Sequence, residues 1–316
     1  MDPNISFTMR FTLLLLALLC YGVSTPAQSL YIKTFGKPDS TPLIFIHGGP
    51  AGSAVHFEAT TAQKLADKGF YVIVYDRRGE CRSVDANAAL TYEEAFTDLN
   101  NIYRQYKLTK ANLVGFSFGG LVTTLFAEKY PEKVQAIVLC SALFAQQATY
   151  NHILDTVTRI YQQKPDTAKL REVALIKQLD KKSARYRSEC FRLASENGFF
   201  RVAHPDIEAL EISRAYDSSA LKQTDVRNKN APERFYKNET RVNIDVQPVL
   251  AELIWEKHIP VYGIYGKVDG IFSTGMLHHL EALLGTKNFR YVDNSSHYLY
   301  ADQQTVFLDN VTRWLK

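Results

Sequence analysis

Gly115-Phe116-Ser117-Phe118-Gly119-Gly120 is the stretch from which the rest of the chain can be read. An apolar run, Ala111-Asn-Leu-Val114, leads into it, and an apolar-periodic segment, Leu121 to Lys129, leaves it and stops before Pro131. The pattern predicts a strand, a sharp turn and a helix. A serine in such a turn sits on strained backbone, and glycines two residues to either side remove the Cβ atoms that would collide there. The hydroxyl is then held clear of its neighbours, while the following helix turns unpaired N–H groups and its positive dipole end towards it. Ser117 is the expected nucleophile. A glycine-rich connection with no chemistry is the bland alternative, so the assignment depends on partners found elsewhere.

Upstream, Leu30 to Phe35 and Pro42 to Ile46 read as strands, the second running straight into His47-Gly48-Gly49-Pro50-Ala51-Gly52. Helical spacing covers His56 to Lys68 and Gly69 caps it; Phe70 to Tyr75 is the next strand and ends in Asp76-Arg77-Arg78-Gly79. A helix over Thr91 to Tyr106 precedes the strand that carries Ser117, and Val134 to Leu139 is a further strand. This alternation predicts an α/β fold with a mostly parallel sheet covered by helices on both faces. From residue 144 to 258 the alternation stops and helices follow one another, as in Tyr150 to Gln163, Thr167 to Leu179, Ser183 to Asn197 and Asp206 to Tyr216. It resumes with the strand Ile259 to Tyr265, a helix over Thr274 to Leu284, a strand near Asn288 to Val292 and a last helix from about Asp302 to Leu315. The expected organisation is a core of residues 29–143 and 259–316 interrupted by a helical cap, 144–258, over the carboxyl edge of the sheet, where ligands bind.

The 316 residues are 46% hydrophobic with a formal net charge of +4, ordinary for a globular protein, and Lys and Arg form no dense run. A nucleic-acid partner is not expected. Arg10 precedes Phe11 to Val23, an apolar run of about 13 residues, short for a bilayer span but suited to a signal-peptide core. Small residues follow, with Ala27-Gln28-Ser29 in the small-x-small form. Residues 1–28 are therefore expected to be a cleaved leader, with export to the periplasm or medium and no stable membrane span afterwards. The mature chain would keep Cys81, Cys140 and Cys190, an odd number at irregular spacing, so a disulfide framework is not expected. Asn238, Asn294 and Asn310 each begin a glycosylation sequon, which matters only in a eukaryotic host.

A serine hydroxyl needs a base to remove its proton and a carboxylate to orient that base. Both are sought in loops at the carboxyl ends of later strands. Asp269, in Gly266-Lys-Val-Asp269-Gly270, lies just past one such strand, and His297, in Asn294-Ser-Ser-His297, just past the next. The order Ser, Asp, His is the one expected for a nucleophile elbow on this type of sheet. Asp293 shares a loop with His297 and reads as a turn residue. His278 and His279 are helix neighbours that face different ways, and His56, His152, His204 and His258 do not follow a strand in the same manner. A tetrahedral oxyanion requires two N–H donors; Phe118, next after the nucleophile, supplies one and Gly49 the other, since Pro50 has no N–H. No cofactor and no metal site are expected: there is no H-E-x-x-H and no phosphate-binding loop.

These residues together, the His47-Gly48-Gly49-Pro50 turn, Asp76-Arg77-Arg78-Gly79, Gly115-x-Ser117-x-Gly119, Asp269 and His297 around a helical insertion, resemble the α/β hydrolase superfamily. Within it they resemble the prolyl iminopeptidase-like branch, peptidase family S33. Two features depart from that branch, which usually has glycine where Ala51 stands and a D-Q-R-G-x-G-x-S pattern where this chain reads Asp76-Arg-Arg-Gly-Glu-Cys81-Arg-Ser83. The resemblance implies acyl transfer through an acyl-enzyme, with a small molecule or short peptide as substrate beneath the cap. It implies an aminopeptidase of prolyl iminopeptidase type, in which cap carboxylates hold the substrate amine. Glu189, Glu196, Glu208, Glu211, Glu233 and Glu239 are the cap glutamates weighed for that task, and none lies in a recognisable motif. An aminopeptidase needs a buried carboxylate near Ser117, whereas a carboxylester hydrolase does not. A non-catalytic ligand-binding protein on the same scaffold is the alternative from another class.

Overall fold

A computed structural model describes residues 30–316; the expected leader lies outside the described residues. Seven strands form one sheet: β1 (Ile32–Phe35), β2 (Thr41–Ile46), β3 (Phe70–Tyr75), β4 (Ala111–Phe116), β5 (Val134–Cys140), β6 (Val261–Gly266) and β7 (Phe289–Val292). Their order is β1-β3-β2-β4-β5-β6-β7, and only β1, at the edge, runs antiparallel to its neighbour. The central strands are buried on both faces, which explains their unbroken apolar runs. Along β2, Leu43 and Phe45 enter one core and Ile44 and Ile46 the other; β3 and β4 alternate in the same way.

Register places the chemistry. Ile46 is level with Gly115, so the turn after β2 emerges beside the elbow after β4. Gly266 is level with Val292, so the loops after β6 and β7 emerge side by side. The helix after the elbow, Gly119–Lys129, is buried for most of its length and wedged among these strands. Gly119 permits that wedge, because a Cβ there would press on Ile46 and His47 carbonyl oxygens.

Between β5 and β6 the chain contributes helices and no named strand: Gln146–Gln163, Thr167–Lys177, Ala184–Glu196, Ile207–Ser218, Ala231–Asn238 and Gln247–Trp255. The last of these packs on the helix after the elbow and on β6. Polar bonds tie the insertion to the core loops: Gly270 N–H donates to Phe199 O (3.0 Å), Ser296 Oγ to Phe200 O (3.0 Å) and Asn228 Nδ2 to Gly79 O (2.7 Å). Cys81, Cys140 and Cys190 are buried and free. No helix among the described residues is long and apolar enough to cross a membrane.

Two helices differ from the periodic reading. The segment expected over His56 to Lys68 runs as Val55–Phe57 and Gln63–Asp67 with a π-helical turn, Glu58–Ala62, between them. Glu58 opens the widened turn and is buried: its carboxylate accepts from Tyr31 OH (2.9 Å) and pairs with Arg82 (2.8 Å). The last helix is two pieces, Leu299–Asp302 and Gln304–Leu315, broken at Gln303. The break frees Asp302 to serve the loop before it.

Candidate active site

Ser117 has φ of +53°, in the left-handed region that a side chain enters only under constraint. The constraint is visible. Its carbonyl accepts from Gly120 N–H (3.0 Å) and Leu143 N–H (2.8 Å), and its N–H donates to Cys140 O (3.3 Å). Gly115 is required because a Cβ there would meet Gly119 O and Gly120 Cα, each at 2.8 Å. The side chain is 8% exposed and faces a cavity of about 780 Å³ lying between the core loops and the helical insertion.

His297 faces the same cavity. Its Nδ1 is 2.8 Å from Asp269 Oδ2, and both side chains are buried. With the carboxylate accepting from Nδ1–H, Nε2 is left as the basic nitrogen. The rings of Phe116 and Phe200 flank the imidazole, with centroids 4.9 and 5.3 Å away. No hydrogen bond joins Ser117 Oγ to His297 among the described residues; such bonds commonly tighten only around substrate. Asp302, read from sequence only as a helix start, anchors this loop by accepting from Ser296 N–H (2.7 Å) and Ser296 Oγ (2.6 Å). Burial pushes its carboxyl pKa up, against those hydrogen bonds. Asp293, in contrast, is exposed and paired with Lys267 at 2.8 Å.

The loop after β2 is held by the one after β3. Arg77 is buried and pairs through Nε with Glu80 Oε2 (2.7 Å), while its other nitrogens donate to the carbonyls of His47 and Gly48. Glu80 Oε1 in turn accepts from the N–H groups of Ala51 and Gly52. Arg77 N–H donates to His47 Nε2 (3.0 Å), so the His47 proton resides on Nδ1 and is donated to Gly48 O (2.6 Å). Burial, aided by the Arg77 charge, lowers the His47 pKa well below the ordinary value, and the ring is a neutral spacer. Asp76 accepts from Ala54 N–H (2.7 Å) and pairs with Arg82 (2.6 Å). Gly49 and Phe118, the expected oxyanion donors, each have an N–H that no other group engages among the described residues. The Phe118 side chain points away from the cavity, packed on Tyr92, Phe235 and the Arg77 guanidinium.

None of the cap glutamates weighed for an amine lines the cavity. Glu189 and Glu196 surround Arg192, Glu208 accepts from Thr305 Oγ1 (2.7 Å), and Glu239 accepts from Tyr92 N–H (2.9 Å). The carboxylate that does line it is Asp225, which accepts from Ser53 Oγ (2.6 Å). His56 lines it too, stacked edge-on against Tyr216.

A family model described as the alpha/beta hydrolase fold matches residues 41–303. The chain belongs to this α/β hydrolase family. As expected from the elbow and the alternating elements, this α/β hydrolase is a hydrolytic enzyme of the fold read from sequence. It is 22% identical over 295 residues to a protein of Danio rerio named as an sn-1-specific diacylglycerol lipase, covering 93% of this chain and 84% of the relative. It is 33% identical over 120 residues to a proline iminopeptidase of Lactobacillus delbrueckii subsp. bulgaricus, covering 36% of this chain and 40% of the relative. Among solved structures, a proline iminopeptidase-related protein of Thermus thermophilus matches with a TM-score of 0.64 at 20% identity, covering 92% of this chain and 95% of that one. At that identity the likeness is one of fold.

Proposed function

We propose that this α/β hydrolase is a serine hydrolase working through an acyl-enzyme, and that its substrates are small carboxylic esters. The observation that carries the reading is the buried Asp269–His297 pair opening on the same cavity as a strained Ser117. In this mechanism Ser117 Oγ attacks the ester carbonyl carbon and His297 Nε2 takes the hydroxyl proton. Asp269 keeps the other ring proton on Nδ1, and the Gly49 and Phe118 N–H groups receive the developing oxyanion. Collapse breaks the bond to the leaving alkoxide, which takes the proton from His297. Water, deprotonated by His297 in turn, then attacks the acyl-enzyme and frees the acid and Ser117.

Residues 144–258 act here as a cap that restricts entry to small substrates, and the segment before residue 29 serves as an export leader. The preference for esters over N-terminal amides rests on the cavity wall: desolvating a substrate ammonium requires a dedicated carboxylate, and none of the six cap glutamates lines the cavity. Aminopeptidase action of prolyl iminopeptidase type is the second reading, favoured by Asp225 on the wall and by the local likeness to proline iminopeptidases. Parallel assays with proline-β-naphthylamide and short acyl 4-nitrophenyl esters separate the two. Turnover of esters alone supports the first reading, and release of naphthylamine at comparable kcat/KM overturns the preference. A fluorophosphonate should label the wild type and leave Ser117→Ala unlabelled; a wild type that takes no label is a ligand-binding scaffold instead. N-terminal sequencing of the exported protein checks the leader.

A further inference from the structure

Five cationic side chains line the cavity that holds Ser117 and His297: Arg187, Arg192, Arg201, Arg227 and Lys229. Arg192 is neutralised by Glu172, Glu189 and Glu196. The other four form no ion pair with a carboxylate among the described residues, and the single carboxylate on the wall, Asp225, accepts its hydrogen bonds from Ser53 and, at 3.5 Å, Tyr216 OH.

Arg187 is the most constrained of them. Its Nη2 donates to Gly49 O at 2.7 Å, its guanidinium lies over the Phe191 ring at 5.0 Å, and its Nε is buried with no partner. A buried charged donor left unpaired is costly, and the cost is relieved by an anionic acceptor. Through Gly49 this arginine adjoins the turn that would receive the oxyanion. Arg227 also lines the cavity, next to the hydroxyl of Tyr298, the residue after His297, and within reach of the Asp225 charge. Two guanidinium groups thus line the cavity that holds Ser117 and His297, each with planar donors suited to a carboxylate or phosphate. An ammonium in this cavity would share it with a single carboxylate, Asp225, and four cations that have no ion-pair partner among the described residues.

Taking the serine-hydrolase reading as given, we infer that the substrate carries an anionic oxygen group, a carboxylate or a phosphate, held by Arg187 and Arg227 while the ester carbonyl lies at Ser117. The anion adds to the one carboxylate on the wall, Asp225, opposite four cations without an ion-pair partner, and binding is therefore strongest for esters bearing such a group on the acyl or the alcohol side.

Two substrate pairs test this on the intact enzyme. Mono-4-nitrophenyl glutarate is compared with its uncharged 4-carbamoylbutanoyl ester, and monobutyryl glycerol phosphate with monobutyryl glycerol. The expected result is a preference in kcat/KM of about ten-fold or more for one anionic member, shrinking as salt is raised from low to about 0.5 M. Which pair shows it identifies the carboxylate or the phosphate. Joint replacement Arg187→Gln and Arg227→Gln should bring that ratio close to one. Equal or faster turnover of both neutral members by the wild type, with fluorophosphonate labelling intact, overturns the inference and spares the serine-hydrolase reading. Absence of turnover in all four, together with absence of labelling, overturns that reading itself.

Discussion

The two sides of the cavity treat charge in opposite ways. On the core side Arg77, Arg78 and Arg82 are matched to Glu80, Asp98, Asp76 and Glu58 at 2.6–2.8 Å, and the paired atoms are largely buried. On the insertion side Arg187, Arg201, Arg227 and Lys229 stand unpaired. A buried charge that finds its partner inside the chain fixes geometry; of the insertion-side cations Arg201, Arg227 and Lys229 are exposed and Arg187 is half-buried, and no carboxylate pair among the described residues holds them in place. The core side therefore shapes the turn bearing Gly49, and the insertion side is where the inferred anion would bind.

The largest expected effect lies where the core side meets the chemistry. Asp269→Asn keeps the shape of the pair but presents an amide N–H or carbonyl where a carboxylate accepted, so His297 loses its enforced tautomer. A fall in kcat of about 10³- to 10⁴-fold is expected, with thermal stability little changed. Stopped-assay kinetics on a short acyl ester measure it; a fall of less than about ten-fold would place the base elsewhere. Ser117→Ala should cost at least as much.

Next comes the contrast itself. Arg77→Ala strips the buried partner from Glu80 and two donors from the His47 and Gly48 carbonyls. We expect about 3–5 kcal/mol of destabilisation, read from urea titration. Arg227→Ala removes an unpaired charge and should change stability by no more than about 0.5 kcal/mol in either direction. Equal losses in the two variants would break the distinction between a structural and a ligand-facing set of arginines.

What could be read in advance follows the same division. The elbow, its flanking strand and helix, and the residues after β6 and β7 were legible because strand ends and glycine spacing are local in sequence. Gly115 and Gly119 are explained by close approach to neighbouring backbone, as their positions two residues from Ser117 suggested. The wall was not legible. Arg187 lies in an ordinary amphipathic helix and Arg227 in a connecting stretch, so only tertiary packing turns them to the cavity. Attention to glutamates followed the family resemblance, whereas Glu189 and Glu196 are occupied by Arg192, and Glu239 by the Tyr92 N–H and Arg241. Likewise Asp302 became visible as an anchor of the His297 loop only once the terminal helix was seen to break at Gln303. Periodicity also cannot register the single extra residue of a π-helical turn, nor the pairing of Glu58, at its start, with Arg82, distant in sequence.

The smallest expected effect tests whether the two sides stay distinct as pH falls. His56 belongs to the core side but faces Tyr216, Asp217 and Asp225 of the insertion and Tyr298 and Tyr300 of the last loop. Burial lowers its pKa to about 4, against the upward pull of Asp225 and Asp217. A depressed pKa means that the native state refuses a proton which the unfolded chain accepts. The resulting stability is present above the unfolded value near 6.5 and is lost as pH falls towards about 4. Between pH 7 and pH 5 the loss assignable to His56 is roughly 1–2 kcal/mol. Urea titrations of wild type and His56→Asn at both pH values should show the variant losing less by that amount. Identical pH dependence in the two would mean that the imidazole takes up its proton as readily in the native cavity as in the unfolded chain, so that on acidification it would add a fifth unpaired cation to the wall and dissolve the boundary drawn between the two sides.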